Sequence, residues 1–162
     1  MINKARPMNK SKQFVVFCLD NQKYALPLPD VKRVVRAVEI TCLPKAPEIV
    51  IGVINIQGRI TPVINIRKRF RLPEREIDPR DRFIIADTSK RLVALMVDEV
   101  RGVIESREQE MVKAEKILPG MEYIEGVMKI EDGIVFIHDL DKFLSLEEEK
   151  KLDDAIKEAG KK

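Results

Sequence analysis

GVINIQGRITPVINI, running from Gly52 to Ile66, is written a second time as GVMKIEDGIVFIHDL from Gly126 to Leu140, with Gly-Val opening both copies and Ile56/Ile130 and Ile60/Ile134 in register. An upstream block repeats too. Phe14 to Val35 (FVVFCLDNQKYALPLPDVKRVV) matches Phe83 to Ile104 (FIIADTSKRLVALMVDEVRGVI), and the pairs Ala25/Ala94, Leu26/Leu95, Val31/Val100 and Val34/Val103 are identical. Two homologous halves imply a pseudo-twofold architecture with a groove between the copies, and that groove is where function is expected.

Each half reads as short strands. Phe14–Leu19 is continuously apolar and Tyr24–Leu28 follows across Asp20-Asn21-Gln22, which predicts a hairpin with one strand buried on both faces. Arg82–Ala86 and Leu92–Val97 copy it around Asp87-Thr88-Ser89-Lys90. Val50–Ile56 and Ile60–Ile66 flank the turn Gln57-Gly58-Arg59, and Val127–Ile130 and Ile134–Leu140 flank Glu131-Asp132-Gly133, the glycine supplying the positive φ in each. Short strands around Val34–Ile40 and Val103–Glu105 bring the expectation to about five per half, a pattern that favours small closed barrels with no exposed edge. Pro27 and Pro62 should stand at an edge or bulge. Ser145-Leu-Glu-Glu148 is a capping-box pattern opening a helix whose Leu146, Leu152, Ala155, Ile156 and Ala159 would line one stripe, packed on the barrels or offered to a partner. The expected organisation is a flexible segment 1–13, a core unit 14–144 in halves of about 14–72 and 82–140, and a helix with tail over 145–162.

The 162 residues carry a net charge of only +3, too small to imply a polyanion partner. Cys18 and Cys42 show no C-x-x-C spacing, which argues against a disulfide framework or structural zinc. The N-terminus lacks an apolar signal region and no run suits a membrane span, so the expected location is cytoplasmic.

Catalytic chemistry has poor material. The one histidine, His138, lies opposite Ile64 in the repeat and is expected at a rim or lining position of a barrel. No serine sits in a nucleophile elbow and no glycine-rich phosphate loop precedes a helix. The reading is no enzyme, no catalytic residue, no cofactor and no metal. Asp78, Asp81 and Glu147–Glu149 read as solvated. Arg67-Lys-Arg-Phe-Arg71 reads as a solvated helix in preference to a nucleic-acid patch, since a single aromatic interrupts it and Glu74, Glu76 and Asp78 follow.

Asp30-Val31-Lys-Arg-Val34 and Glu99-Val100-Arg-Gly-Val103 place valines three apart just after corresponding strands. Packed pseudo-symmetrically, Val31, Val34, Val100 and Val103 would face one another across a cleft suited to an amphipathic helix; the plainer reading is that they seal the barrel ends.

Gly52-Val-Ile-Asn-Ile-Gln-Gly58 followed by Ile60-Thr-Pro-Val-Ile-Asn-Ile-Arg67 and Phe70 resembles the signature of the CheW-like domain, G-V-x-N-L-R-G-x-I-x-P-V-x-D-L-R-x-x-F, and the similarity runs from about Phe14 to Leu144. The resemblance implies two interlocked five-stranded SH3-like barrels in a mainly β unit. It further implies a non-catalytic chemotaxis adaptor that couples the cytoplasmic tip of a methyl-accepting chemoreceptor to the regulatory domain of a CheA-type histidine kinase. Such a protein is recruited to membrane receptor arrays without inserting into the membrane and without binding nucleic acid. The alternatives are a CheW-like scaffold for a pathway of motility, development or second messengers, and a small-barrel nucleic-acid binder. By residue matching, Val31, Val100 and Val103 fall on receptor-contact positions, Val34 resting on the repeat alone; the hairpin bearing Gly52, Asn55, Gln57 and Gly58 is implied to contribute to kinase contact. Nothing beyond one such unit and a short helix is expected. Gln57 and Asn65 depart from the family's Arg and Asp; the first predicts a turn that works through neutral contacts with little salt dependence, the second keeps a side chain able to cap a turn.

Overall fold

The computed structural model describes residues 11–107, 111–113, 124–130 and 133–160. Strands β1 (Ser11–Leu19) and β2 (Gln22–Pro27) form the first hairpin; a 3-10 turn (Leu28–Asp30) leads into β3 (Val31–Arg36). Then come β4 (Val50–Ile56), β5 (Arg59–Ile64) and the one-turn helix α1 (Ile66–Arg69). The second copy supplies β6 (Arg82–Asp87), β7 (Leu92–Val97), β8 (Glu99–Arg107), β9 (Met111–Lys113), β10 (Ile124–Ile130) and β11 (Gly133–His138), before a 3-10 turn (Leu140–Lys142) and α2 (Leu146–Ala159).

The expected hairpins are present, with three shifts. Residues 11–13 already belong to β1 and not to a segment ahead of the domain, while 1–10 lie outside the described residues. The short strands between hairpins start earlier than expected, so the four valines sit within β3 and β8 and not after a strand. In the β4–β5 turn the glycine does not act alone: Gln57 (φ 50°) and Gly58 (φ 86°) both take positive φ, as do Asp20 and Asn21 in the first hairpin. Two such residues in a two-residue loop match the right-handed twist of the flanking strands.

The strands assemble across the repeat. One sheet runs β8-β1-β2-β11-β10-β9 and the other β3-β6-β7-β5-β4. Each therefore takes its first hairpin from one half of the sequence and its remaining strands from the other, joined by short parallel ladders, Val135–Ile137 against Lys23–Ala25 and Val63–Ile64 against Ala94–Leu95. The halves 14–72 and 82–140 are thus units of duplication, and neither makes up a whole sheet by itself. β9 extends the first sheet to six strands against the five expected. Neither proline stands on an edge strand as expected: Pro27 is the last residue of β2, which lies between β1 and β11, two residues past its ladder with β11, and Pro62 stands within β5, one residue before its ladder with β7 begins.

Three apolar clusters follow from this exchange. Phe14, Val16, Ala25, Met128, Val135 and Ile137 fill one face of the first sheet, and Ile54, Val63, Phe83, Ile85, Leu92 and Ala94 one face of the second. The largest lies between the sheets, where Phe17, Leu19 and Leu26 meet Ile64, Ile84 and Leu95. Helix α2 closes that core. Ser145 and Glu148 form the capping box, Leu152 and Ala155 are buried, and Arg69–Glu148 (2.6 Å), Arg91–Glu149 (3.0 Å) and Arg91–Asp153 pin the helix down. The expected stripe packs on the sheets in its middle only, since Leu146 (80% exposed) and Ala159 face outward.

Gly52 is required by a close approach. A Cβ there would meet the Thr41 carbonyl oxygen at 2.4 Å, because residue 41 bridges Val53 by paired backbone hydrogen bonds of 2.8 and 2.9 Å. Gly52→Ala should therefore cost about 1–3 kcal/mol of stability through forced backbone displacement. Urea denaturation should show a lower midpoint with an unchanged slope.

Candidate functional site

The registers place the four valines on sheet faces that look toward each other. Val31 pairs with Ala86 and Val34 with Ile84, while Val100 pairs with Phe17 and Val103 with Val15. Ala86, Ile84 and Phe17 belong to the inter-sheet core, so the valines occupy its rim, on the outer strands β3 and β8. Val31 and Val100 are half-buried against that core; Val34 (40%) and Val103 (52%) are exposed. A cleft of about 780 Å³ brings Val34 and Val100 together, and Val31 and Val103 lie outside its lining. Its remaining walls are charged: Arg75, Asp78, Arg80, Asp81, Arg82, Asp98 and Glu99. The expected apolar groove is in fact an apolar rim over a charged floor.

That floor is a chain of ion pairs. Arg67, nearly fully buried, donates to both Asp20 oxygens (2.9 and 3.1 Å), to Asp98 (2.8 Å) and to the Pro73 carbonyl (2.8 Å). Arg75 continues it, donating to buried Asp81 (2.6 Å) and to Asp98 (2.5 Å). The Asp20 N–H also donates to Asp98 (2.9 Å). Three solvated readings are corrected: Arg67 and Asp81 point inward here and Glu149 does so beneath α2 against Arg91, because each finds opposite charge there and a buried charge is tolerated only when so paired. Phe70, from the same basic run, also turns inward, stacking on His138 with ring centroids 4.4 Å apart. With Arg67 and Phe70 both turned inward, and Lys68 and Arg69 paired with Glu74 and Glu148, the run is largely used within the fold. Asp98 escaped the sequence reading because its partners Arg67 and Arg75 are distant in the chain, and Arg75 because the loop that sets it against Asp81 has no regular pattern.

Burial alone would raise the Asp98 carboxyl, but hydrogen bonds from Arg67, the Asp20 N–H and Arg75 outweigh it and hold its pKa below the usual value. A depressed folded pKa contributes stability that is present above the unfolded pKa, about 4, and is lost as pH falls through the folded value. Asp98→Asn should therefore lose about 2–4 kcal/mol at neutral pH by leaving Arg67 and Arg75 under-compensated. Chemical denaturation across pH should show the wild-type midpoint falling below about pH 4, with a flatter dependence in the variant.

At the β4–β5 hairpin, Asn55 accepts from the Gly58 N–H (2.7 Å), fixing the turn, and Arg33 Nη2 donates to Gln57 Oε1 (3.3 Å). Position 57 has no charge of its own, but β3 sets the Arg33 guanidinium upon it. Gly52 is buried and contributes through backbone packing, while Asn55, Gln57 and Gly58 are exposed. Asn65 caps α1 as its shape allows, accepting from the Lys68 N–H (3.1 Å) and donating to Glu74 (3.1 Å).

His138 sits in the central core at 0% exposure, between Phe70, Tyr24 and Phe143, and not at a rim. Cys18 is buried and its thiol pKa is raised, chiefly by burial, which keeps it protonated and unreactive; Cys42 is exposed. Among the described residues no group of three or more His, Cys, Asp or Glu side chains is placed to hold a metal, and no helix is long and apolar enough to cross a membrane.

A family model described as a CheW-like domain matches residues 13–148. The chain is 33% identical over 138 residues to the chemotaxis protein CheW of Bacillus subtilis, covering 84% of this chain and 88% of that protein. It is 28% identical over 146 residues to the chemotaxis protein CheW of Treponema pallidum, covering 86% of each. The crystal structure of the scaffolding protein TtCheW from Thermoanaerobacter tengcongensis superposes with a TM-score of 0.79 at 32% identity, covering 86% of this chain and 96% of that one.

Proposed function

The chain belongs to the CheW-like domain family, and from that premise we propose that it is a non-catalytic chemotaxis adaptor coupling chemoreceptors to a CheA-type histidine kinase. In this reading the cleft under β3 and β8 takes the cytoplasmic tip of a methyl-accepting receptor, and the β4–β5 hairpin contributes to the kinase regulatory domain. The protein acts on the cytoplasmic side of membrane receptor arrays.

The single observation that carries the reading is the pairing of exposed Val34 with half-buried Val100 at one cleft on the rim of the inter-sheet core. An amphipathic helix laid along that rim would cover Val34 and Val100 with its apolar face and meet Arg80, Arg82 and Glu99 with its polar edge. Because the cleft walls come from both sheets, the geometry offered to the receptor is set by the inter-sheet packing, and an adaptor needs no more chemistry than that.

Co-sedimentation with a receptor tip fragment and the kinase regulatory domain tests it. Val34→Asp and Val100→Asp should each weaken receptor binding by about 2 kcal/mol, since the partner helix would desolvate a new charge. Circular dichroism should remain native for Val34→Asp in particular, as that side chain is exposed. Normal receptor binding by both folded variants would remove the cleft from the receptor interface.

A further inference from the structure

The segment between the two copies, residues 73–81, contains no strand or helix and has no counterpart in the repeat, yet it is tied to both walls of the cleft. Arg75 makes the tie. Its guanidinium forks onto buried Asp81, Nη1 donating to Oδ2 at 3.1 Å and Nη2 to Oδ1 at 2.6 Å, and Nη2 also donates to Asp98 Oδ1 at 2.5 Å. Among the described residues only Arg75 binds both carboxylates.

The two carboxylates belong to opposite walls. Asp81 stands just before β6. Its side chain accepts from the Asp78 N–H (2.8 Å), and its carbonyl accepts from the Ala37 N–H (3.2 Å) just past the end of β3, the strand that carries Val34. Asp98 stands just before β8, the strand that carries Val100. Its N–H donates to the Cys18 carbonyl of β1 (3.1 Å), and its carboxylate takes the Arg67 guanidinium and the Asp20 N–H. Each anchor is fixed to its own wall without Arg75, and the guanidinium spans the interval between them. Val34 and Val100 line the cleft together with all three charged residues.

Packing does not hold the Arg75 side chain in place. It is 35% exposed and lines a second cavity of about 380 Å³ as well as the cleft, so open space lies beside it in both. Its position follows from charge. A planar fork can hold one carboxylate with two donors and still reach a second, which the single ammonium of a lysine does poorly.

We propose that Arg75 is a positioning residue that sets the separation of the cleft walls, and with it the spacing at which Val34 and Val100 are offered to a partner. It acts through Asp81 and Asp98; the identity of the cleft's occupant rests on the adaptor reading above. Without the tie both valines keep their exposure while β3 and β8 move apart, so a helix laid across both loses part of its contact.

The test uses the full chain. Nitroxide labels on Val34→Cys and Val103→Cys, exposed sites on the two walls, report the separation by dipolar spectroscopy in a Cys42→Ser background, since Cys42 is exposed and Cys18 buried. Arg75→Lys keeps the charge but not the fork. Arg75→Gln combined with Asp81→Asn removes both charges, so that no buried carboxylate is left unpaired and the chain should keep its native circular dichroism. Labelled, both variants should give a longer and broader distance distribution than the parent, with the lysine variant changed less. Unlabelled, the lysine variant should weaken receptor-tip binding about twofold and the double variant about fivefold, as for residues that act on binding through others. Kinase-domain binding should be unchanged. Separation and receptor binding both unchanged in the folded double variant overturn the proposal and leave the adaptor reading intact. Weaker binding at an unchanged separation makes Arg75 a contact residue and overturns the positioning role, as does a changed separation with receptor binding unaltered. A wild-type protein that binds no receptor tip overturns the adaptor reading, while the distance distributions alone still decide whether Arg75 sets the separation.

Discussion

The Arg67 guanidinium is the point at which the two sheets are joined. Asp20 comes from the first hairpin, in the six-stranded sheet; Arg67 comes from α1, directly after β5 of the other sheet; Asp98 lies in the link where the chain crosses between them. With Arg67 almost wholly withdrawn from water, the arrangement is stable only when both carboxylates are present and the remaining donors are used, as they are on the Pro73 carbonyl. The consequences spread outward. Holding Arg67 inward fixes α1, whose cap is Asn65, and α1 in turn delivers Phe70 onto His138 in the central core. Arg75 extends the chain of charges to Asp81 and so anchors the segment that forms one wall of the cleft.

The exchange of hairpins explains why this junction matters. Because each sheet borrows its first hairpin from the opposite half, pulling the sheets apart would separate strands from the segments that precede them, and it would expose the largest of the three cores. The relative placement of the two sheets is thus fixed by covalent connectivity, apolar burial and ion pairing together. A protein that transmits a signal only by holding partners in a set geometry depends on this rigidity, and the partly exposed rim on β3 and β8 is the part of the core left available for others to cover.

Much of this was legible in the residues. The repeat, the hairpin turns, the capping box at Ser145 and the valines at matching places all rest on local pattern, and local pattern carried through to the structure. The exchange of hairpins did not, for a physical reason: two homologous copies present nearly the same strand edges, so pairing β2 with β5 or with β11 satisfies the same periodicity. Arg67 and Asp81 were misread because charge predicts exposure unless a partner is known, and their partners Asp20 and Arg75 are brought near by the fold or by a loop of no regular pattern. His138 was expected to line a barrel, as Ile64 does in the other copy; Ile64 instead belongs to the inter-sheet core, and the histidine has followed its counterpart there.

Pseudo-symmetry is kept in the strand order, β8-β1-β2-β11-β10 against β3-β6-β7-β5-β4, and broken in the charges. At the seam where Asp20 meets Arg67, the repeat-related seam sets Ser89 against Asp141, joined by a backbone N–H to carboxylate hydrogen bond of 2.7 Å, and the work of closure passes to Arg91 and the acidic face of α2. At the hairpin mouths, arginines at 33 and 59 stand where the other copy has glycine. A perfectly symmetric adaptor would offer each partner two equal sites and could not impose one orientation on them. The two copies thus present the same order of strands with different charges at matching places, so the two platforms differ in what they can bind while the strands that carry them correspond.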